Sequence, residues 1–93
     1  MGRNKVATRE LRLNNRLGMH ARPAALFVKT AGKFKSQVWV RKDDLEVNGK
    51  SIMGVMMLAA EPGSSLVVRA EGPDETEAVE AVAKLIADKF YED

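Results

Sequence analysis

Between Asp74 and Phe90 the chain carries its strongest structural constraint. Asp74 with Glu77 has the spacing of a capping box, and Val79, Val82, Ile86 and Phe90 then recur on one helical stripe, with Leu85 at its edge. A helix with one apolar stripe needs an apolar surface to lie on, and short alternating segments elsewhere in the chain can supply it. Residues 6–13 (VATRELRL) read as a first strand ending in Leu11 and Leu13. SQVWVRK alternates, with Val38 and Val40 on one face and Trp39 on the other. A turn at Asp43 and Asp44 leads into a short strand, LEVN, which ends at Asn48–Gly49. LVVRAEG is the fourth strand, with Leu66, Val68 and Ala70 on one face.

Two more helices fit between the strands. From Ala21 to Ala31, Ala24, Phe27, Val28 and Ala31 fall at helical spacing, and Gly32 closes the run. Ser51 is a good N-cap for a short helix through Leu58, in which Ile52, Val55 and Met56 fit, although Gly54 costs it roughly 1 kcal/mol. Met57 or Leu58 is expected to point inward. The order is β-α-β-β-α-β-α. It implies an α+β, open-faced two-layer β-sandwich: a four-stranded antiparallel sheet covered on one face by three helices. At 93 residues, without repeats or linkers, one domain over 1–93 is expected.

Composition removes several function classes. There is no cysteine and one histidine, so a disulfide framework, a thiolate metal site and a histidine-rich metal site are all out of reach. No cofactor or metal is expected. The longest apolar run is far short of the roughly 20 residues a membrane span needs. The start, MGRNKVATRE, lacks the apolar core of a secretory signal, and Val6 stands where myristoylation wants Ser or Thr. A soluble cytoplasmic protein is the expectation. Fifteen basic against thirteen acidic residues leave a net charge of +2, too little to argue for nucleic acid. Trp39 alone does not make a base-stacking platform.

The one histidine, His20, sits in GMHARPAA. Pro23 is tolerated only in the first turn of a helix, which places His20 at the helix entrance. The first backbone N–H groups there are unpaired, and the macrodipole is positive, which favours a neutral imidazole and a bound anion. Arg22 adds a guanidinium suited to phosphate oxygens. This pattern suits a histidine that takes a phosphoryl group and passes it on. A plain surface or capping histidine fits the same residues about as well. No carboxylate or serine lies near His20 in sequence to suggest a hydrolase triad. VNGKSIMG is not a P-loop, because the first glycine of that motif would fall at Asp44.

NRLGMHARPAALFVKTA resembles the active-centre signature of the HPr-type phosphocarriers of the bacterial phosphoenolpyruvate-dependent phosphotransferase system. VNGKSIMGVMMLAA resembles their second signature, around a regulatory serine. The resemblance spans about Val6 to Phe90 and implies the same open-faced sandwich. It implies that His20 is phosphorylated on Nδ1 by enzyme I and dephosphorylated by an enzyme IIA-type acceptor. By the same likeness Arg22 assists transfer, Pro23 opens the first helix, and Ser51 is the target of an HPr kinase/phosphorylase. Docking would use Ile52, Met53 and Met56, and consecutive methionines suit an adaptable surface. Such a carrier is a covalent relay component without its own turnover, and a monomer is expected. Leu17 before the glycine resembles the nitrogen-related branch and the proteobacterial regulatory carriers, whereas the intact GKSIMGVMML block points to a regulatory-type carrier.

Overall fold

The structure is a computed structural model and describes residues 5–92. The ends of the expected domain 1–93, and the first residues of the segment read for targeting signals, lie outside the described residues. The elements in chain order are β1 (Val6–Arg12), α1 (Ala21–Ala31), β2 (Gln37–Lys42), β3 (Leu45–Asn48), α2 (Ile52–Met57), β4 (Ser65–Glu71) and α3 (Glu75–Ala87), followed by a tight turn over Lys89–Tyr91. The four strands form one antiparallel sheet in the order β1-β4-β2-β3. Three helices cover one face of it, the α+β arrangement that the alternating segments imply.

Register sorts the side chains. Pairing runs from Val6 opposite Glu71 to Arg12 opposite Ser65, and Val38 lies opposite Ala70 on the other side of β4. Leu66, Val68 and Ala70 of β4 and Val38 and Val40 of β2 therefore share one face, and all five are buried. Against them pack Phe27 of α1, Val55 of α2, and Ala78, Val82 and Ile86 of α3. On the open face, the Arg69 guanidinium lies 4.0 Å from the centre of the Trp39 ring and pairs with Glu46 at 3.0 Å. The ring that could have stacked a base is covered by a cation.

Two expectations for α3 need correction. Asp74 occupies the N-cap position, but its side chain makes no capping bond. Its carboxylate accepts instead from the N–H groups of Lys35 and Ser36 at 2.9 and 2.8 Å, and from the Ser36 hydroxyl at 2.6 Å. The acid therefore fastens the start of α3 to the turn between α1 and β2 rather than closing a box with Glu77. The stripe also stops early. The helix ends at Ala87, and Lys89, Phe90 and Tyr91 have φ of 54°, 56° and 61°. Phe90 is buried as the stripe requires, but from a left-handed turn beyond the helix.

Elsewhere the local chemistry sets the ends as expected. Ser51 caps α2, its hydroxyl accepting from Gly54 N–H at 3.1 Å. Gly54 lets α2 lie close to β3, since a Cβ there would be a tight 3.3 Å from Val47 Cβ and 3.4 Å from the Asn48 carbonyl. Of the last residues of α2, Leu58 turns inward while Met57 stays exposed.

Candidate functional site

The loop between β1 and α1 brings the site together. Gly18 has φ +75°, and a Cβ on it would lie 2.5 Å from the carbonyl oxygen of Ala60. Only glycine lets this loop press against the segment after α2, where Met19 N–H donates to Ala60 O at 2.8 Å. Met19 is buried as an anchor, and the next residue, His20, emerges at the N-cap of α1. Its backbone is extended (φ −91°, ψ −169°), its carbonyl accepts from Ala24 N–H, and its side chain caps nothing. The imidazole is therefore free for other chemistry. Pro23, buried in the first turn, fixes the helix direction.

The two ring nitrogens differ. The His20 side chain is 40% exposed, yet Nε2 is closed off from solvent and has no hydrogen-bond partner among the described residues. With Nε2 closed off, Nδ1 is the ring nitrogen left for the exposed part of the side chain. Nε2 faces the carboxylate of Glu92, 3.7 Å away, too long for a hydrogen bond but close enough for charge to act. Asn15, itself buried, donates from Nδ2 to Gly18 O at 2.8 Å and to Glu92 Oε2 at 2.9 Å. The Arg16 N–H donates to Oε1 of the same carboxylate at 3.3 Å. Asn15 above all, with Arg16 N–H and the His20 ring, holds the Glu92 carboxyl below its usual range against partial desolvation.

Arg22 is exposed, and among the described residues it makes no ion pair. With Arg16, Leu17, Tyr91 and Glu92 it lines an open cleft of about 380 Å³, and Glu92 is the lining residue that also faces His20. Two guanidiniums outnumber the single Glu92 carboxylate in this lining, and the start of α1 adds unpaired N–H groups, so the region favours an anion. Ser51 does not line that cleft. It stands at the start of α2, flanked by the exposed side chains of Ile52, Met53, Met56 and Met57. Leu17, 71% exposed, adds an apolar residue close to His20.

Sequence reasoning names His20, Arg22, Pro23 and Ser51, but misses Asn15 and Glu92. Glu92 follows the left-handed turn at the opposite end of the chain, and no local spacing links it to His20. Asn15 gives no more signal, since a buried asparagine in a loop reads like any polar loop residue. No cluster of three His, Cys, Asp or Glu side chains that could hold a metal ion occurs among the described residues. No helix among them is long and apolar enough to cross a membrane.

Comparison with known proteins agrees with this geometry. A family profile described as the PTS HPr component phosphorylation site matches residues 7–88. The phosphocarrier protein HPr of Treponema pallidum is 47% identical over 88 residues, covering 95% of this chain and all of that protein. HPr of Neisseria meningitidis serogroup B is 53% identical over 78 residues, covering 84% of this chain and 88% of its own. Among solved structures, HPr from Thermoanaerobacter tengcongensis superposes with a TM-score of 0.91 at 50% identity, covering 94% of this chain and 98% of that one. The chain thus belongs to the HPr family, the phosphocarriers of the phosphotransferase system, which carry a phosphoryl group rather than catalyse a turnover of their own.

Proposed function

We propose that His20 is the phosphoryl acceptor, taking the group from enzyme I on Nδ1 and passing it to an enzyme IIA-type protein. One observation carries this reading: Nε2 is closed against Glu92, which leaves Nδ1 for the exposed part of the side chain at the entrance of α1. The incoming phosphoryl oxygens meet the unpaired helix amides, and Arg22 can turn from solvent onto them. Exposed interactions of this kind stabilise by about 0.3–1 kcal/mol each. That modest figure suits a group that must leave again. Ile52, Met53 and Met56 form the docking surface, and Leu17 extends it beside the imidazole.

Ser51 is a regulatory site for an HPr kinase/phosphorylase in the same reading. Its hydroxyl lies among exposed apolar side chains, so a phosphate there leaves the helix cap favourable but sets a dianion within the docking surface. A second reading makes the chain a regulatory interaction protein controlled at Ser51, or a carrier of a nitrogen-related branch, whose motif the LGMHARP stretch with Leu17 resembles. The unit is one domain over 1–93, cytoplasmic and monomeric.

A chase experiment tests the relay. The chain is phosphorylated with enzyme I and phosphoenolpyruvate, separated from both, and mixed with an enzyme IIA domain. The phosphoryl group should move to the acceptor within one mixing time. A group that stays on the chain with several acceptors contradicts the carrier reading and favours the regulatory one.

A further inference from the structure

We propose that Glu92, held in place by Asn15, is a positioning residue that keeps the His20 proton on Nε2 and so leaves the Nδ1 lone pair free to attack phosphorus. The inference rests on the reading of His20 as acceptor. A neutral imidazole has one N–H and two places for it. With the proton on Nε2, the ring turns the positive end of that bond toward the Glu92 carboxylate 3.7 Å away. With the proton on Nδ1, the Nε2 lone pair would face the same negative charge, and the exposed nitrogen could not act as a nucleophile. The carboxylate therefore disfavours the unreactive tautomer.

Glu92 is arranged to hold that charge in one place. Both of its oxygens are engaged, Oε2 by the Asn15 amide at 2.9 Å and Oε1 by the Arg16 N–H at 3.3 Å. The Asn15 amide can be oriented only one way, because its Nδ2 faces two oxygens, those of Gly18 and Glu92. The other end of the asparagine, Oδ1, is buried without a partner among the described residues, a cost retained at this spot. The chain also accepts three consecutive left-handed residues, Lys89 to Tyr91, immediately before Glu92. For non-glycine residues that conformation costs about 1–2 kcal/mol each. Such a turn persists where its surroundings fix it, here through buried Phe90, and its result is to return Glu92 to the histidine.

In the transfer step the Nδ1 lone pair forms the N–P bond while the donor's bond to phosphorus breaks, its electron pair leaving on the donor. The Nε2 proton stays in place. The phosphorylated ring then carries positive charge directly opposite the carboxylate. In the onward transfer the N–P pair returns to Nδ1, and the ring leaves as neutral imidazole. Glu92 thus faces a group that is more positive when phosphorylated, in both directions of the relay.

The test uses Glu92→Gln, which preserves shape and the contact to Asn15 but removes the charge. The Nδ1 and Nε2 nitrogen shifts of His20, read by NMR at alkaline pH, report the tautomer. In wild type the proton is expected on Nε2, and in the variant the Nδ1–H form should at least double. Turnover of enzyme I with the variant as substrate should fall about two- to fivefold with KM unchanged, the size of one weak charge interaction. A purely structural Glu92 would leave both quantities at wild-type values. An unchanged tautomer ratio or an unchanged turnover in Glu92→Gln overturns the inference. His20→Ala run alongside separates the two levels, because phosphorylation of that variant would remove the acceptor reading itself.

Discussion

The Ser36 hydroxyl donates to Asp74 Oδ1 at 2.6 Å while accepting from the Asp74 N–H at 3.2 Å, so the two residues close a reciprocal pair across the α1–β2 turn and the start of α3. The Ser36 hydroxyl first, then the Lys35 N–H, hold the Asp74 carboxyl down from 3.8 to about 2. The folded value lies below the unfolded one, so this contribution is fully present above about pH 4 and is lost as pH falls through about 2. Thermal melts of wild type and Asp74→Asn should differ by a constant amount above pH 5, and the gap should close toward pH 2. Parallel curves down to pH 2 would show that the charge contributes nothing.

How much of this was readable beforehand depends on the range of each interaction. The start of α1 is written locally, in Pro23 and the alternation-to-helix switch before Ala24, and its end in Gly32. The inward face of β4 is equally plain in Leu66, Val68 and Ala70. Asp74 misleads because an acid before a helix has the same local appearance whether it caps that helix or reaches Ser36, 38 residues away. The stop at Ala87 has no glycine or proline to mark it, so the stripe through Phe90 reads as one helix. Asn15 and Glu92 are 77 positions apart, and only the completed fold sets them beside His20.

Gly18 is predicted to be the least replaceable residue of the active loop. Gly18→Ala puts a Cβ 2.5 Å from Ala60 O at φ +75°. Strain of this kind costs about 1–3 kcal/mol. For a domain of this length that lowers Tm by about 5 °C or more. A Tm within 1–2 °C of wild type, as roughly expected for a neutral surface change, would mean that the loop yields without cost.

Ser51 separates its two roles by substitution. Ser51→Ala removes the bond to Gly54 N–H and should cost about 1 kcal/mol of stability. Ser51→Asp keeps a capping oxygen, so its melt should stay near wild type, while its charge among Ile52, Met53 and Met56 should raise the KM for enzyme I. If Ser51→Asp docks as tightly as wild type, the patch around Ser51 is not where enzyme I binds.

Arg22 makes no ion pair among the described residues, so stability should not depend on it. Arg22→Ala should melt like wild type but accept phosphate about tenfold more slowly, the value of one hydrogen bond to a charged group. Arg22→Lys should recover only part of the rate, since an ammonium lacks the planar fork. Wild-type rates in Arg22→Ala would leave the helix amides and Arg16 as the anion contacts.

The central claim is that the open Nδ1 of His20 carries the phosphoryl group, and intact mass tests it most directly. After incubation with phosphoenolpyruvate and enzyme I, the chain should gain one phosphoryl group, lose it on brief acid treatment, and gain none as His20→Ala. A stable addition that survives acid, or the same addition in His20→Ala, would place the phosphate elsewhere and contradict the account.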